Sequence, residues 1–206
     1  MTDSVVYVVD DDHSVRVALD SLLSSEGYAV RTFEAAQAFL DAPRPDLPGC
    51  LVLDVRLRGV SGLEFQRALG RAGILTPIVF ITGHGDVPMS VAAMKAGAVE
   101  FLMKPFRDQD LLDAVHDGIE QDRRRRAQDQ QISDLRDRYA SMTPREREIM
   151  PLVASGLMNK QIAMDLKLSE VTVKVHRAQI MTKMRAKTLP DLVRIVDRLE
   201  SAIPKT

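Results

Sequence analysis

Val5-Val6-Tyr7-Val8-Val9-Asp10-Asp11-Asp12 is an apolar run of strand length that ends abruptly in three carboxylates. Apolar side chains without polar alternation mark a strand buried on both faces, as in a parallel sheet. The same kind of ending recurs further on. Cys50–Leu53 is followed by Asp54, Ile78–Ile81 by Thr82 and Gly83, and Phe101–Met103 by Lys104 and Pro105. Neighbouring parallel strands gather their C-terminal ends at one rim, where open α/β sheets bind ligands. Four such strands bring carboxylates, a hydroxyl and an ammonium together, a set suited to a divalent metal and a phosphoryl group.

Working outward, the apolar period between these runs changes to that of helices. Strands are predicted at Val5–Asp10, Ala29–Phe33, Cys50–Asp54, Ile78–Thr82 and Glu100–Met103. Helices are predicted at Ser14–Ser25, Ala35–Leu40, Gly62–Arg71, Val87–Lys95 and Gln109–Gln121. Gly27, Gly73 and Gly97 stand where helices want a left-handed C-terminal residue. This alternation specifies an α/β domain, a parallel sheet covered on both faces, over residues 1–121.

Residues 122–141 are polar and read as a helical linker, with a sparse stripe of Ile132, Leu135, Tyr139 and Met142. The stripe rests against neighbouring elements or pairs two chains in a short coiled coil. The run Arg123–Arg126 is a solvated charge run or a set of phosphate contacts. Residues 142–206 lose the strand pattern and read as four helices. Thr143 and Glu146 form a capping box, with Pro144 at the first helical position and the helix ending near Ser155. Pro151 lies inside that helix, where a kink or a solvent-facing site is required. Asn159 is expected to cap Lys160–Leu166, and Ser169 to cap Glu170–Met184 after a tight turn. A last helix runs from about Pro190 to Ser201.

The chain's net charge of −1 hides a division. Residues 1–121 hold ten Lys and Arg against eighteen Asp and Glu (10 − 18 = −8), residues 122–141 six against four (+2), and residues 142–206 twelve against seven (+5). Only the rear is built to meet a polyanion. No apolar run approaches the roughly eighteen residues of a membrane helix. The N-terminus lacks the pattern of a secretory signal. Cys50 is the only cysteine and reads as a buried thiol. A cytoplasmic location is expected, with no membrane partner.

The rim residues carry definite chemistry. Asp10 and Asp11 can bracket one small hard cation, and Mg²⁺ often bridges carboxylate to phosphate. Asp54 can then act as a nucleophile, taking a phosphoryl group as a mixed anhydride. Thr82 can donate to one phosphoryl oxygen, and Lys104 can meet another as a point charge. Blander readings exist for each part: Asp12 or His13 as a helix cap, Lys104-Pro105 as a turn. Their coincidence at successive strand ends favours the functional one.

Val8-Val9-Asp10-Asp11, Leu53-Asp54, Thr82-Gly83 and Lys104-Pro105-Phe106 resemble the receiver domain of two-component response regulators, over about residues 3–121. The resemblance implies a flavodoxin-like, doubly wound five-stranded sheet of order 2-1-3-4-5. It implies that Asp54 is the phosphoacceptor, fed by a sensor histidine kinase. Asp10, Asp11, Asp54 and the backbone carbonyl of Arg56 would hold the Mg²⁺. Thr82 and Phe101 would form the switch pair, the ring turning inward as Thr82 moves. One departure is Leu57-Arg58 where many receivers have Met-Pro. It adds a charge near the pocket and bears on the lifetime of the phosphorylated form.

In the rear, two helices joined by a tight turn suggest helix-turn-helix. Val173, Ile180 and Met184 form the buried stripe of the third helix, so Val171, Val175, Ala178 and Thr182 share the opposite face, with Lys174 at its edge. Val175 is placed to touch thymine methyls and Lys174 to reach base acceptors. Thr172, Arg177, Lys183 and Lys160 are placed for phosphates. His176 points toward the buried stripe and reads as a packing residue.

Leu157–Ala163 and Val171–Arg177 resemble the LuxR-type DNA-binding domain, over about residues 142–200, and Gly83–Met89 is similar to the FixJ-like branch. The fourth helix, with Leu192, Val196 and Leu199, then supports dimers on DNA or belongs to the domain's own core. The expected function is a phosphorylation-switched transcription regulator, not a dedicated enzyme. Its receivers pair near Val91, Lys95 and Glu100, forming a homodimer when phosphorylated, and its partners are promoter duplex DNA and RNA polymerase. Three rivals stand beside it. An aspartyl phosphohydrolase commonly needs an acid where Arg56 stands. An unphosphorylated pseudo-receiver would work by protein contacts alone, and an antiterminator would bind RNA.

Overall fold

The computed structural model describes residues 3–83 and 87–202. Two compact units divide the chain between Arg126 and Ala127. The first is built from strands β1 (Val5–Val9), β2 (Ala29–Phe33), β3 (Gly49–Asp54), β4 (Ile78–Thr82) and β5 (Glu100–Met103). Between them run α1 (His13–Ser25), α2 (Ala36–Asp41), α3 (Gly62–Arg71) and α4 (Val87–Lys95), and α5 (Asp108–Ala140) follows. All strand pairs are parallel, in the order β2-β1-β3-β4-β5, the order that the resemblance implies. The middle of the Gly83–Met89 motif, His84 to Asp86, lies outside the described residues.

Strand alternation divides the core into two layers. Val5, Tyr7, Val9, Leu51, Leu53 and Phe80 face α2, α3 and α4, packing on Phe39, Phe65 and Ala93. Val6, Val8, Cys50, Val52, Val79 and Ile81 face the other way, onto Leu19 and Leu23 of α1 and Leu111 and Val115 of α5. With both faces covered, the inner strands β1, β3 and β4 are buried throughout and need no polar alternation, which explains their continuous apolar runs. Gly118 makes the α5 contact close: a Cβ there would sit 2.6 Å from Cys50 Sγ. Burial pushes the Cys50 thiol up to about 12, so it stays neutral and acts as packing.

The residues expected as a linker are the continuation of α5. No glycine or proline interrupts 119–140, so nothing ends the helix at Gln121. Within the first unit, buried Asp122 accepts from the Gly49 amide at 3.0 Å and from Arg125 and Arg126. Arg123 pairs with Asp3 and Arg126 with Asp46. The arginine run, read from sequence as solvated or phosphate-bound, therefore has three members tied to acids of the first unit.

The second unit continues from α5 into α6 (Pro144–Ala154), α7 (Asn159–Leu166), α8 (Glu170–Met184) and α9 (Leu189–Ala202). Leu135 and Met142, with Tyr139 against them, join Ile149, Ile162, Val173, Ile180, Met184, Leu192 and Leu199 in one core. Three of the four stripe residues, Leu135, Tyr139 and Met142, are thus used inside the chain's own second unit. Thr143 and Glu146 form the expected capping box. Pro151 is exposed within a continuous α6, the solvent-facing alternative of the two expected. Asn159 is not the cap of α7. Met158 holds that place, its amide donating to Gln161 Oε1 at 2.8 Å, while Asn159 Oδ1 accepts from Arg177 at 3.3 Å.

Candidate functional site

The acid pocket sits where β1, β3, β4 and β5 end. Asp10 follows β1 and is buried, and its Oδ1 accepts from the Asp12 amide at 2.8 Å. Its carbonyl accepts from Arg16 at 2.7 Å. Asp12 caps α1 through the amides of Ser14 and Val15, and those two bonds hold its carboxyl below the usual carboxylate range. Of the three acids after β1, Asp12 is thus spent on the helix, while Asp10 and Asp11 face the pocket. Each of Asp10, Asp11 and Asp54 offers an oxygen within 4.8 Å of the others'. A cluster of hard carboxylate oxygens fits a hard divalent cation.

Asp54 ends β3 with its side chain 10% exposed. One oxygen faces Lys104 Nζ at 3.4 Å, and the other accepts from the Arg56 amide at 3.0 Å. Burial raises its carboxyl above the ordinary range; Lys104 opposes that, and the charge of Asp10 adds to it. Lys104 also reaches Asp10 Oδ2 at 2.8 Å, so one ammonium bridges both buried acids. Thr82, fully buried, ends β4, and its carbonyl accepts from the Lys104 amide at 2.7 Å. Phe101 is half-buried at the start of the exposed edge strand, its ring 6.2 Å from that of Phe80.

The loop from Val55 to Ser61 folds back on itself. Arg56 bridges Ser61, and the Gly62 amide donates to the Val55 carbonyl at 2.8 Å. Gly62 is required there, because a Cβ would lie 2.6 Å from the Asp54 carbonyl oxygen. Neither backbone yields cheaply. Gly62→Ala is expected to cost about 2 kcal/mol of stability, as overpacking does. It should also slow labelling of Asp54 by acetyl phosphate. Urea unfolding and a labelling time course check both.

In the second unit, α8 presents Val171, Lys174, Val175, Ala178 and Thr182 to solvent, and buries Val173, Ile180 and Met184. This is the face expected from the sequence. Val175 is 51% exposed. Lys160 is exposed on α7, while Thr172 bonds Ser169 and Arg177 bonds Asn159. Lys183 lies apart from these: its ammonium donates to Glu146 Oε2 at 2.7 Å and to the Ser141 carbonyl at 3.2 Å. His176 is half-buried, and its Nδ1 has no hydrogen-bond partner. In the first unit, Val91, Lys95 and Glu100 are all exposed. Exposed Val87, Met94 and Met103 share these two elements, α4 and β5, though the sequence did not single them out.

Sequence reasoning placed Arg58 near the pocket and Glu146 in a cap but missed their bonds to Asp11 and Lys183, and it missed Arg16, which donates to the Asp10 carbonyl. No local signal marks these bonds, because each joins a side chain to a group on another loop or helix.

Residues 6–116 match the response regulator receiver domain, and residues 140–196 match the luxR family of bacterial regulatory proteins. The chain is 52% identical over 198 residues to Nodulation protein W of Bradyrhizobium diazoefficiens, covering 96% of this chain and 87% of that one. It is 46% identical over 196 residues to Transcriptional regulatory protein FixJ of Rhizobium meliloti, covering 95% and 96% respectively. Among solved structures, response regulator StyR matches with a TM-score of 0.88 at 49% identity, covering 96% of this chain and 100% of that one. With an acid pocket in its first unit, a basic helix-turn-helix in its second and these relatives along nearly its whole length, the chain belongs to the response regulators that join a receiver to a LuxR-type DNA-binding domain and regulate transcription.

Proposed function

We propose that Asp54 accepts a phosphoryl group from a sensor histidine kinase, and that this switches how the chain engages promoter DNA. The supporting observation is the pocket itself: a desolvated carboxylate beside two further acids, with Lys104 reaching it. An Asp54 oxygen attacks the phosphorus of a phosphohistidine. The P–O bond forms as the P–N bond breaks, and the imidazole nitrogen keeps the electron pair. Lys104 meets one phosphoryl oxygen and the Thr82 hydroxyl donates to another. Mg²⁺ held by Asp10, Asp11, Asp54 and the Arg56 carbonyl would supply neutralisation of the transferring charge. The acyl phosphate is lost again by slow hydrolysis, which makes the chain a switch and not a dedicated enzyme.

In this reading residues 1–121 are the receiver, 122–141 the linker and 142–206 the DNA-binding domain. Thr82 moves toward the phosphoryl group and the Phe101 ring turns inward. The surface bearing Val91, Lys95 and Glu100 then pairs with a second receiver. The dimer sets two copies of α8 in major-groove half-sites about one helical turn apart. Val175 and Lys174 meet base edges, and Lys160, Thr172 and Arg177 meet phosphates. Lys183 reaches phosphate only by giving up Glu146. The bound dimer works on RNA polymerase in the cytoplasm.

The test uses the full chain with beryllofluoride and Mg²⁺, and duplexes selected by the chain from a random pool. Self-association is expected to rise and DNA affinity to increase by on the order of tenfold, a typical coupling. Unchanged assembly and affinity would overturn the reading.

A further inference from the structure

Lys104 serves two of the clustered acids, and the third has a different partner. Arg58 Nε donates to Asp11 Oδ2 at 2.9 Å, with the arginine side chain 87% exposed and that of Asp11 27%. Arg58 stands in the loop after β3, four residues beyond Asp54. Lys104, by contrast, is half-buried and held by two carboxylates.

The geometry points to Arg58 as a tethered competitor of the divalent cation: a positive charge that occupies Asp11 and must yield or share it before Asp10, Asp11 and Asp54 can act as one ligand set. This rests on the reading of those acids as the cation site and extends it to what sets the site's affinity. The physical reason is twofold. The guanidinium engages one of the two Asp11 oxygens, and its charge repels a cation drawn to the same cluster. Being exposed, Arg58 pays little to swing away, so it tunes binding without abolishing it. A residue that sets cation affinity also sets how much free Mg²⁺ the phosphoryl-accepting state requires.

The experiment titrates the full chain with Mg²⁺ by calorimetry and with Mn²⁺ by electron paramagnetic resonance, so the readout is binding and not phosphorylation. Arg58→Gln keeps much of the side chain and removes the charge. It is expected to bind either cation about fivefold more tightly at low salt, the scale of an exposed ion pair. The gap should close in 1 M KCl, where screening acts within about 3 Å. Arg58→Glu, which adds an acid, should bind more tightly still. On an Asp11→Asn background, removing Arg58 should change much less. If the unaltered chain binds the cation and Arg58→Gln binds it no better, the competitor role is wrong and the site stands. If the unaltered chain binds neither cation, or Asp10→Asn binds as well as it does, the site itself is wrong and the inference falls with it.

Discussion

Asp54→Asn is expected to reduce labelling of the chain by acetyl phosphate to background, a loss on the order of a hundredfold or more, as removal of a nucleophile does. The amide keeps the shape of the side chain but lacks the charge and the basic lone pair that attack phosphorus. Lys104 keeps its closer partner, Asp10, so the pocket stays assembled. The variant also brings its own control against unfolding. Burial holds the Asp54 carboxyl above its ordinary value, opposed by Lys104 and helped by Asp10. An acid raised on folding contributes stability that is present below the unfolded value, about 3.9, and lost as pH rises through the folded one. At pH 7 in a chelator, Asp54→Asn is thus expected to melt no lower than the unaltered chain, and its relative advantage should shrink as pH falls through the raised folded value and be gone by about pH 4. Mass spectrometry after hydroxylamine treatment reads the acyl phosphate directly. Undiminished label would place the acceptor on another side chain.

The second large effect lies in the other unit. Glu146→Ala is expected to destabilise it by about 3 kcal/mol, because breaking a buried charge pair strands its partner. The Glu146 side chain is 2% exposed and does two things at once. Its Oε2 accepts from Lys183 at 2.7 Å and from the Thr143 amide at 2.7 Å, so the same carboxylate neutralises α8 and closes the cap of α6. Lys183 is 33% exposed and can be partly rehydrated, which keeps the loss at the low end of the buried-pair range. Burial pushes the Glu146 carboxyl up, but the bonds from Lys183 and Thr143 outweigh it and the net direction is down. A depressed acid contributes stability that is present above its unfolded value, about 4.3, and lost as pH falls through the folded one. The gap between Glu146→Ala and the unaltered chain should therefore be full at pH 7 and narrow below about pH 4. Thermal and urea unfolding across that range measure it. An unmoved midpoint at pH 7 would mean the pair is worth no more than an exposed one.

Most of the candidate site was legible because its residues fall at the ends of apolar runs. A buried parallel strand has a simple signature, and a polar residue at its C-terminal end is seen at once; Asp10, Asp54, Thr82 and Lys104 were all found this way. The exposed face of α8 was equally legible, since helical period alone separates Val171 and Val175 from Val173 and Ile180. Helix ends were less so. Gln121 looked like a stop only because the apolar pattern thins there, but propensity and the absence of breakers carry α5 to Ala140. Asn159 looked like a cap by residue type, yet its amide oxygen was taken by Arg177 from another helix.

Order of elements, sheet class, pocket chemistry and the exposed face of α8 were thus properties of the chain as written, because period and strand-end chemistry are local and survive without a partner. The pairing of charges was not. Arg58 on Asp11, Lys183 on Glu146 and Asp122 on the Gly49 amide join residues distant in sequence. A long charged side chain reaches several candidates, and the winner is the one that packing brings within hydrogen-bond distance and out of water. Folding made that choice, and with it turned Lys183 into a brace, Asp122 into an anchor for α5, and Arg58 into a charge on the acid cluster.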